Sequence, residues 1–392
     1  MRSATGATER LLEMSSETIL TNARIVLADE VIDGSLLMRN GKIADIAPGA
    51  TRTGEDMEGD FVIPGLVELH TDHLEGHYAP RPKVRWNPIA SVLAHDAQVA
   101  TAGITTVFDA LRVGMDQDGD LGIEDMRKLA DAIEDSSRQG RLRADHFIHL
   151  RCEVSAPDCL EGFAHFDDDS RVRLASLMDH APGQRQFARL EAYAIYYMGK
   201  LKMNEEQFRE FCERRMAESA LNSPANRSAI AAACQARGIV LASHDDATVA
   251  HVDEAVTQGI KVAEFPTTAE AAKASKDAGL GVLMGAPNVM RGGSHSGNVS
   301  ARSLAENGLL DILSSDYIPF SLIQSAFFLG EVVEGISLPQ AVAMVSKTPA
   351  EAVGLSDRGA IETGRRADLV RVRVDEHVPV VRTVWREGRR VA

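Results

Sequence analysis

The chain is short of the residues that build special scaffolds. Among 392 residues there are four cysteines, Cys152, Cys159, Cys212 and Cys234, and none stands in a CxxC spacing. That excludes a disulfide framework and reads as the reduced thiols of a cytoplasmic protein. No run approaches ~18 consecutive apolar residues, so no transmembrane helix is expected. The opening MRSATGATERLLE has no apolar core of signal-peptide type. Residues 1–17 read as a flexible N-terminal arm, or as an extension upstream of a start at Met14. Positive charge is in deficit: 42 Lys and Arg stand against 57 Asp and Glu, a net charge of -15. Such acidity argues against non-specific nucleic-acid binding. It leaves room for an anionic substrate, because a local basic cluster or a bound metal can reverse the field in one cleft. No internal repeat, coiled coil or low-complexity tract is present.

What is there is an ordinary globular composition, long enough for a (β/α)8 barrel of ~250 residues and a smaller second unit. Residues 18–60 read as short strands and tight turns, with hairpin signals at Asp33-Gly34 and Asn40-Gly41. Residues 359–392 again read as short strands with Gly-containing turns. The simplest architecture joins 18–60 and 359–392 into one discontinuous β-sandwich domain and inserts a barrel, 61–358, between them. Inside 61–358, strand-like and helix-like segments alternate, which argues α/β with a parallel sheet. Strands are expected at FVIPGLVEL (61–69), 103–111, 145–154, 239–246, 260–266, 280–288 and 309–317. The stretch 155–230 is longer and richer in charge than one strand–helix unit needs, and reads as an insertion or extended loop.

The apolar run at 61–69 breaks abruptly into His70, Asp72, His73, Glu75 and His77. Residues i and i+2 of a strand share a face, so His70 and Asp72 present an imidazole and a carboxylate side by side. That pair is half of a site for a divalent cation such as zinc or manganese. Other expected strands end in Arg151-Cys152-Glu153, His244-Asp245-Asp246 and Ser314-Ser315-Asp316. Each position alone has a bland reading, as a solvated His or as an Asp capping a helix. As an ordered set they form a ring of carboxylates and imidazoles at the end of a barrel that carries its chemistry. Basic residues follow two strands: Arg81, Lys83 and Arg85 after the first, and Arg291 in RGGSHSG, with Ser294 and His295, after GAPN. A loop with Gly and Ser donors beside an Arg suits a phosphate cradle.

Several segments carry a family resemblance: HTDHLEGHYAPRPKVRWNP (70–88), AHDAQVATAGITTVFDAL (94–111), HLRCEV (149–154), ASHDDAT (242–248), GAPNVMRGGSHSGN (285–298) and LDILSSDY (310–317). From about residue 18 to the C-terminus the chain resembles the amidohydrolase superfamily. Within it, the chain looks like the PhnM family, the alpha-D-ribose 1-methylphosphonate 5-triphosphate diphosphatases of phosphonate catabolism. The resemblance implies a TIM-like barrel and one or two divalent metal ions, zinc first and manganese second. It implies metal ligation by His70, Asp72, Glu153, His244 and Asp316, with Glu153 as the bridging carboxylate. Asp316 would also accept the proton of the attacking water. The histidine usual after the next strand is missing, since that strand ends in Glu264-Phe265-Pro266; His295, Asp245 or Glu264 would complete the second site. The implied reaction is hydrolysis of the sugar 5-triphosphate to pyrophosphate and the 5-phosphate, with Arg81, Lys83, Arg85, Arg291, Ser294 and His295 on the substrate.

The expected partner is a small phosphorylated sugar, with no nucleic acid and no membrane; assembly into a homo-oligomer stays open. Two other classes compete. A hydrolase for a cyclic amide or an N-acetylated substrate needs no basic cluster around 81–85 and 291. A metal-free scaffold would have lost several ligands together, and all five are present.

Overall fold

The structure, a computed structural model, describes residues 17–114, 121–185, 203–294 and 297–392. Residues 1–16 of the expected N-terminal arm, and His295, lie outside the described residues. Eight parallel strands form the barrel: Leu66–Thr71, Ile104–Val113, Asp145–Glu153, Val172–Met178, Val240–His244, Val262–Glu264, Gly281–Gly285 and Ile312–Ser314. They pair in chain order. A parallel bridge between Thr71 and Asp316 joins the last to the first, and the Asp316 N–H donates to the His70 carbonyl at 3.2 Å. Val67, Leu69, Phe108, Leu174, Ala242, Val262, Leu283 and Ile312 share an apolar cluster with Ala350, Val353 and Leu355. The first eight of these come from the starts and middles of strands, so the apolar filling leaves the carboxyl ends free for polar side chains.

The second sheet comes from both ends of the chain. In spatial order it runs Arg389–Arg390, Val378–Arg386, Leu369–Asp375, Phe61–Pro64, Glu17–Val26, Val31–Arg39 and Lys42–Pro48, with Glu55–Asp56 beside Glu17–Val26. Its core packs Leu20, Ile25, Leu36, Met38, Ile43, Val62, Leu369 and Trp385.

Three sequence expectations are corrected. The run 61–69 is two strands, Phe61–Pro64 in the terminal sheet and Leu66–Thr71 in the barrel. Gly65 is the crossing point, where a Cβ would sit 2.2 Å from Thr105 Oγ1. Only a residue without a side chain lets the two sheets approach this closely. Asp33-Gly34 is not a turn but lies within the strand Val31–Arg39; the chain turns earlier, where the Leu27 N–H donates to the Glu30 carbonyl at 2.9 Å. Asn40-Gly41 does turn, with φ of 52° and 78°, as two-residue hairpins require. The stretch 155–230 is no mere insertion: it holds the fourth barrel strand, Val172–Met178, and most of the 33-residue helix Glu205–Arg237.

Helix Pro88–Thr101 lies against the outside of the barrel and is capped by Asn87, whose side chain accepts from the Ala90 N–H. Between this helix and the wall lies a buried polar network. Asp109 receives His95 Nε2 on one oxygen and His146 Nδ1 on the other, both at 2.7 Å. Burial opposes charge on His146, yet Asp109 and Asp96 outweigh it and push its pKa up to about 10. Asp109 stays ionised for the reciprocal reason: burial would raise it, but His146 brings it down to about 2. The described cysteines are all buried and free. Among the described residues no helix is long and apolar enough to cross a membrane.

Candidate metal centre

The strands deliver their last residues to one end of the barrel. His70 and His244, from the first and fifth strands, lie with ring centroids 5.7 Å apart. Glu264, ending the sixth strand, stands between them: its two oxygens lie 3.2 Å from His70 Nδ1 and 3.2 Å from His244 Nδ1. All three are buried, and each offers an atom within 4.8 Å of the others. Beside them His180, His244 and Asp245 make a second such group. His180 follows the fourth strand and connects the groups to Glu153, with Nδ1 2.6 Å from Glu153 Oε2 and Nε2 3.6 Å from Asp245 Oδ2. Glu153 also accepts from the His180 N–H at 3.0 Å and the Ser155 hydroxyl at 2.7 Å. Arg112 and Arg215 each lie 3.8 Å from it.

Asp72 turns to Arg151, which donates to its carboxylate at 3.0 Å. Arg151 and Glu153 are two residues apart on the third strand, so they reach the same side of it. Glu68 fastens the first strand to the last, accepting from the His70 N–H at 2.6 Å and from the Ser315 N–H at 2.5 Å. Asp316 thus sits one residue past a tethered backbone position. Its φ is 56°, and Asp245 and Phe265, at two other strand ends, have φ of 59° and 53°. Positive φ in non-glycine residues costs energy and clusters where side chains must be aimed.

The electrostatics divide the residues by task. Burial holds His70, His149 and His244 well below the usual imidazole range, each at about 3. They are neutral, the state in which imidazole ligates a cation. Burial, then the negative charge of Asp72, pushes Asp316 up to about 7, against the pull of Arg151. His180 is the cationic member: Glu153 and Asp245 overcome its burial and push it up to about 9. The positive charge of His180 therefore lies between two carboxylates, hydrogen-bonded to Glu153 and 3.6 Å from Asp245, a role that a divalent ion can take over. The residues fit such an ion, since Asp245 Oδ2 is buried without a hydrogen-bond partner while lying 3.4 Å from His244 Nε2. Neutral imidazoles with convergent carboxylates are the donor set that zinc and manganese accept.

His70, Glu264 and His244 therefore form one group, with Asp245, His180 and Glu153 joined to it. Asp72 and Asp316 flank the set. The basic residues named from the sequence lie farther out on loops. Arg81 and Lys83 are exposed, and Arg85 lies 3.5 Å from Asp125. Arg291 ends the helix Ala286–Arg291 and is exposed. The chain beyond it is tied back to the sixth-strand turn by the Val299 N–H, which donates to the Thr267 carbonyl at 3.0 Å. Sequence reasoning missed His180, Arg112 and Arg215, and placed Arg151 at a strand end without giving it a role. The signal for His180 was the alternating RVRLASLM run before it.

The fold and this site define a metal-dependent hydrolase of the amidohydrolase type. A model described as "Amidohydrolase family" matches residues 203–392. Solved structures with the same fold include N-acetylglucosamine-6-phosphate deacetylase from Pasteurella multocida, TM-score 0.63 at 14% identity over 95% of this chain and 99% of that one. Dihydropyrimidinase from Brevibacillus agri is similar too, TM-score 0.59 at 13% identity over 96% and 95%. The alpha-D-ribose 1-methylphosphonate 5-triphosphate diphosphatase of Escherichia coli (strain K12) is 49% identical over 377 residues, 95% of this chain and all of that protein. The chain belongs to the amidohydrolase superfamily and, within it, to the PhnM family of that diphosphatase.

Proposed function

We propose that this protein hydrolyses the 5-triphosphate of an alpha-D-ribose 1-alkylphosphonate, releasing pyrophosphate and leaving the sugar 5-phosphate. The observation that carries this reading is the 49% identity to the diphosphatase over nearly the whole of both chains. In this reading His70, Asp72, Glu153 and His244 hold one or two divalent ions, zinc first and manganese second. Glu264, His180 and Asp245 complete the set. A bound ion of this kind supplies Lewis acidity and lowers the pKa of water towards neutrality.

The chain's own residues do the rest. Asp316 takes the proton as water oxygen bonds to the alpha phosphorus. The bond from that phosphorus to the beta-bridging oxygen breaks, and pyrophosphate leaves with the electron pair. A carboxyl pushed up to about 7 has the proton affinity that a base working near neutral pH needs. Arg151 orients Asp72, and Arg112, one strand over, brings a second guanidinium to the same end of the barrel. Phosphoryl transfer needs such charge on the non-bridging and departing oxygens. The loop residues Arg81, Lys83, Arg85 and Arg291, with Ser294 and His295, receive the triphosphate tail. The enzyme is assigned to the cytoplasm, where its four free thiols stay reduced.

Removing one guanidinium from this tail site, as in Arg291→Ala, is expected to raise KM about tenfold with a smaller change in kcat, since a charge-assisted hydrogen bond contributes ~1.5–3 kcal/mol. Steady-state kinetics on the triphosphate checks it; unchanged KM in this variant and in Arg81→Ala would return both residues to ordinary surface. The reaction itself is tested by pyrophosphate release from zinc- or manganese-loaded protein, with a metal-stripped control. Turnover of a cyclic amide or an N-acetylated sugar in place of the triphosphate would replace this reading with amide hydrolysis.

A further inference from the structure

We propose that the protein carries a second cation site outside the barrel centre, in which His73, His77 and His95 bind a divalent transition-metal ion of the zinc class. None of the three belongs to the hydrolytic set. His73 and His77 stand four residues apart on the helix His73–Tyr78, on one face of it. Their ring centroids are 4.9 Å apart, and the His95 ring, from helix Pro88–Thr101, lies 6.1 Å from each. One nitrogen from each ring lies within 4.8 Å of one from both others.

The hydrogen bonding around these rings is what a metal site needs. His95 is fully buried. Its Nε2 lies 2.7 Å from Asp109 Oδ1, while its Nδ1 has no hydrogen-bond partner. Asp109 accepts the Nε2 proton, which fixes the tautomer and leaves the Nδ1 lone pair open. Ligating histidines typically pair one ring nitrogen with a carboxylate and give the other to the ion. The other Asp109 oxygen is held by His146, so the carboxylate cannot swing away. His77 follows the same pattern, with Nε2 3.2 Å from the Gln98 side-chain oxygen. His73 Nδ1 is also buried without a partner. If these rings served only packing, two buried nitrogens would stand unsatisfied, and a buried polar atom without a partner is destabilising; a shared cation satisfies both. Three imidazoles and no carboxylate in the inner set select zinc, cobalt, nickel or copper over magnesium or calcium. His73 and His77 are part-exposed, which leaves a side for water as a further ligand.

The ion would join the helix after the first barrel strand to the helix outside the wall, at the root of the loop that carries Arg81, Lys83 and Arg85. It would act as a clamp, and its three ligands take no part in hydrolysis.

The test uses the whole protein, equilibrated against zinc and dialysed, with metal counted per chain by mass spectrometry. His77→Ala and His73→Asn, both at part-exposed positions, are each expected to hold one ion fewer than the wild type while retaining turnover. With cobalt in place of zinc, each variant should lose one set of visible absorption bands. Equal metal content in the wild type and both variants would overturn the proposal. So would loss of all metal together with turnover, because that would make the three histidines part of a single centre.

Discussion

Asp316→Asn is expected to lower kcat by about 10²–10⁴-fold, the range for removal of a general base. The substitution keeps size and shape, and Asn tolerates the positive φ of this position, so the fold should persist. What disappears is a carboxylate able to take a proton. In the wild type the base must be ionised, so activity rises with pH through its pKa. Burial and Asp72 set that pKa at about 7, and a bound cation pulls it lower. The acid limb of the kcat/KM profile should therefore fall below pH 7, and the Asn variant should have no such limb. Circular dichroism with a pH–rate profile checks both points. A variant with near wild-type turnover would remove Asp316 from the chemistry.

Glu264→Gln should be almost as damaging, by a different route. Glu264 is fully buried and touches both His70 and His244. Gln preserves the volume but removes the negative charge that two neutral imidazoles leave for a cation to find. Losing a partner of ligating histidines typically costs 10–100-fold in metal affinity or activity, and losing a ligand costs more. We expect one ion fewer per chain and kcat/KM down at least about a hundredfold. Excess zinc would restore part of the activity if the residue only supports the ligands. Full metal content with full activity would show that the site is built around Glu153 and His180 instead.

Much of this candidate centre was legible in the sequence because its residues close recognisable strands. His70, Asp72, Glu153, His244 and Asp316 each follow an apolar run, and the barrel brings such ends together. His180 escaped because the strand before it, Val172–Met178, carries Arg173 and Ser176 among its apolar residues and lies inside the stretch read as an insertion. Glu264 was one of three candidates; choosing it required the spacing to His70, 194 positions away. The split at Gly65 escaped because Phe61–Leu69 is apolar throughout, and only the approach of Thr105 shows why a glycine stands there. The cluster of His95, Asp109 and His146 joins a helix to two strands, and no local pattern reports such a contact. The misplaced turn at Asp33-Gly34 shows the converse limit: the dipeptide permits a turn, but cross-strand pairing put it inside a strand.

The most direct test of the central claim follows the phosphorus atoms during turnover of the ribose 1-alkylphosphonate 5-triphosphate in ¹⁸O-enriched water, by ³¹P NMR. Attack of water at the alpha phosphorus predicts pyrophosphate without label and a sugar 5-phosphate carrying one ¹⁸O. Label in pyrophosphate, orthophosphate as the first product, or an intact triphosphate would contradict it.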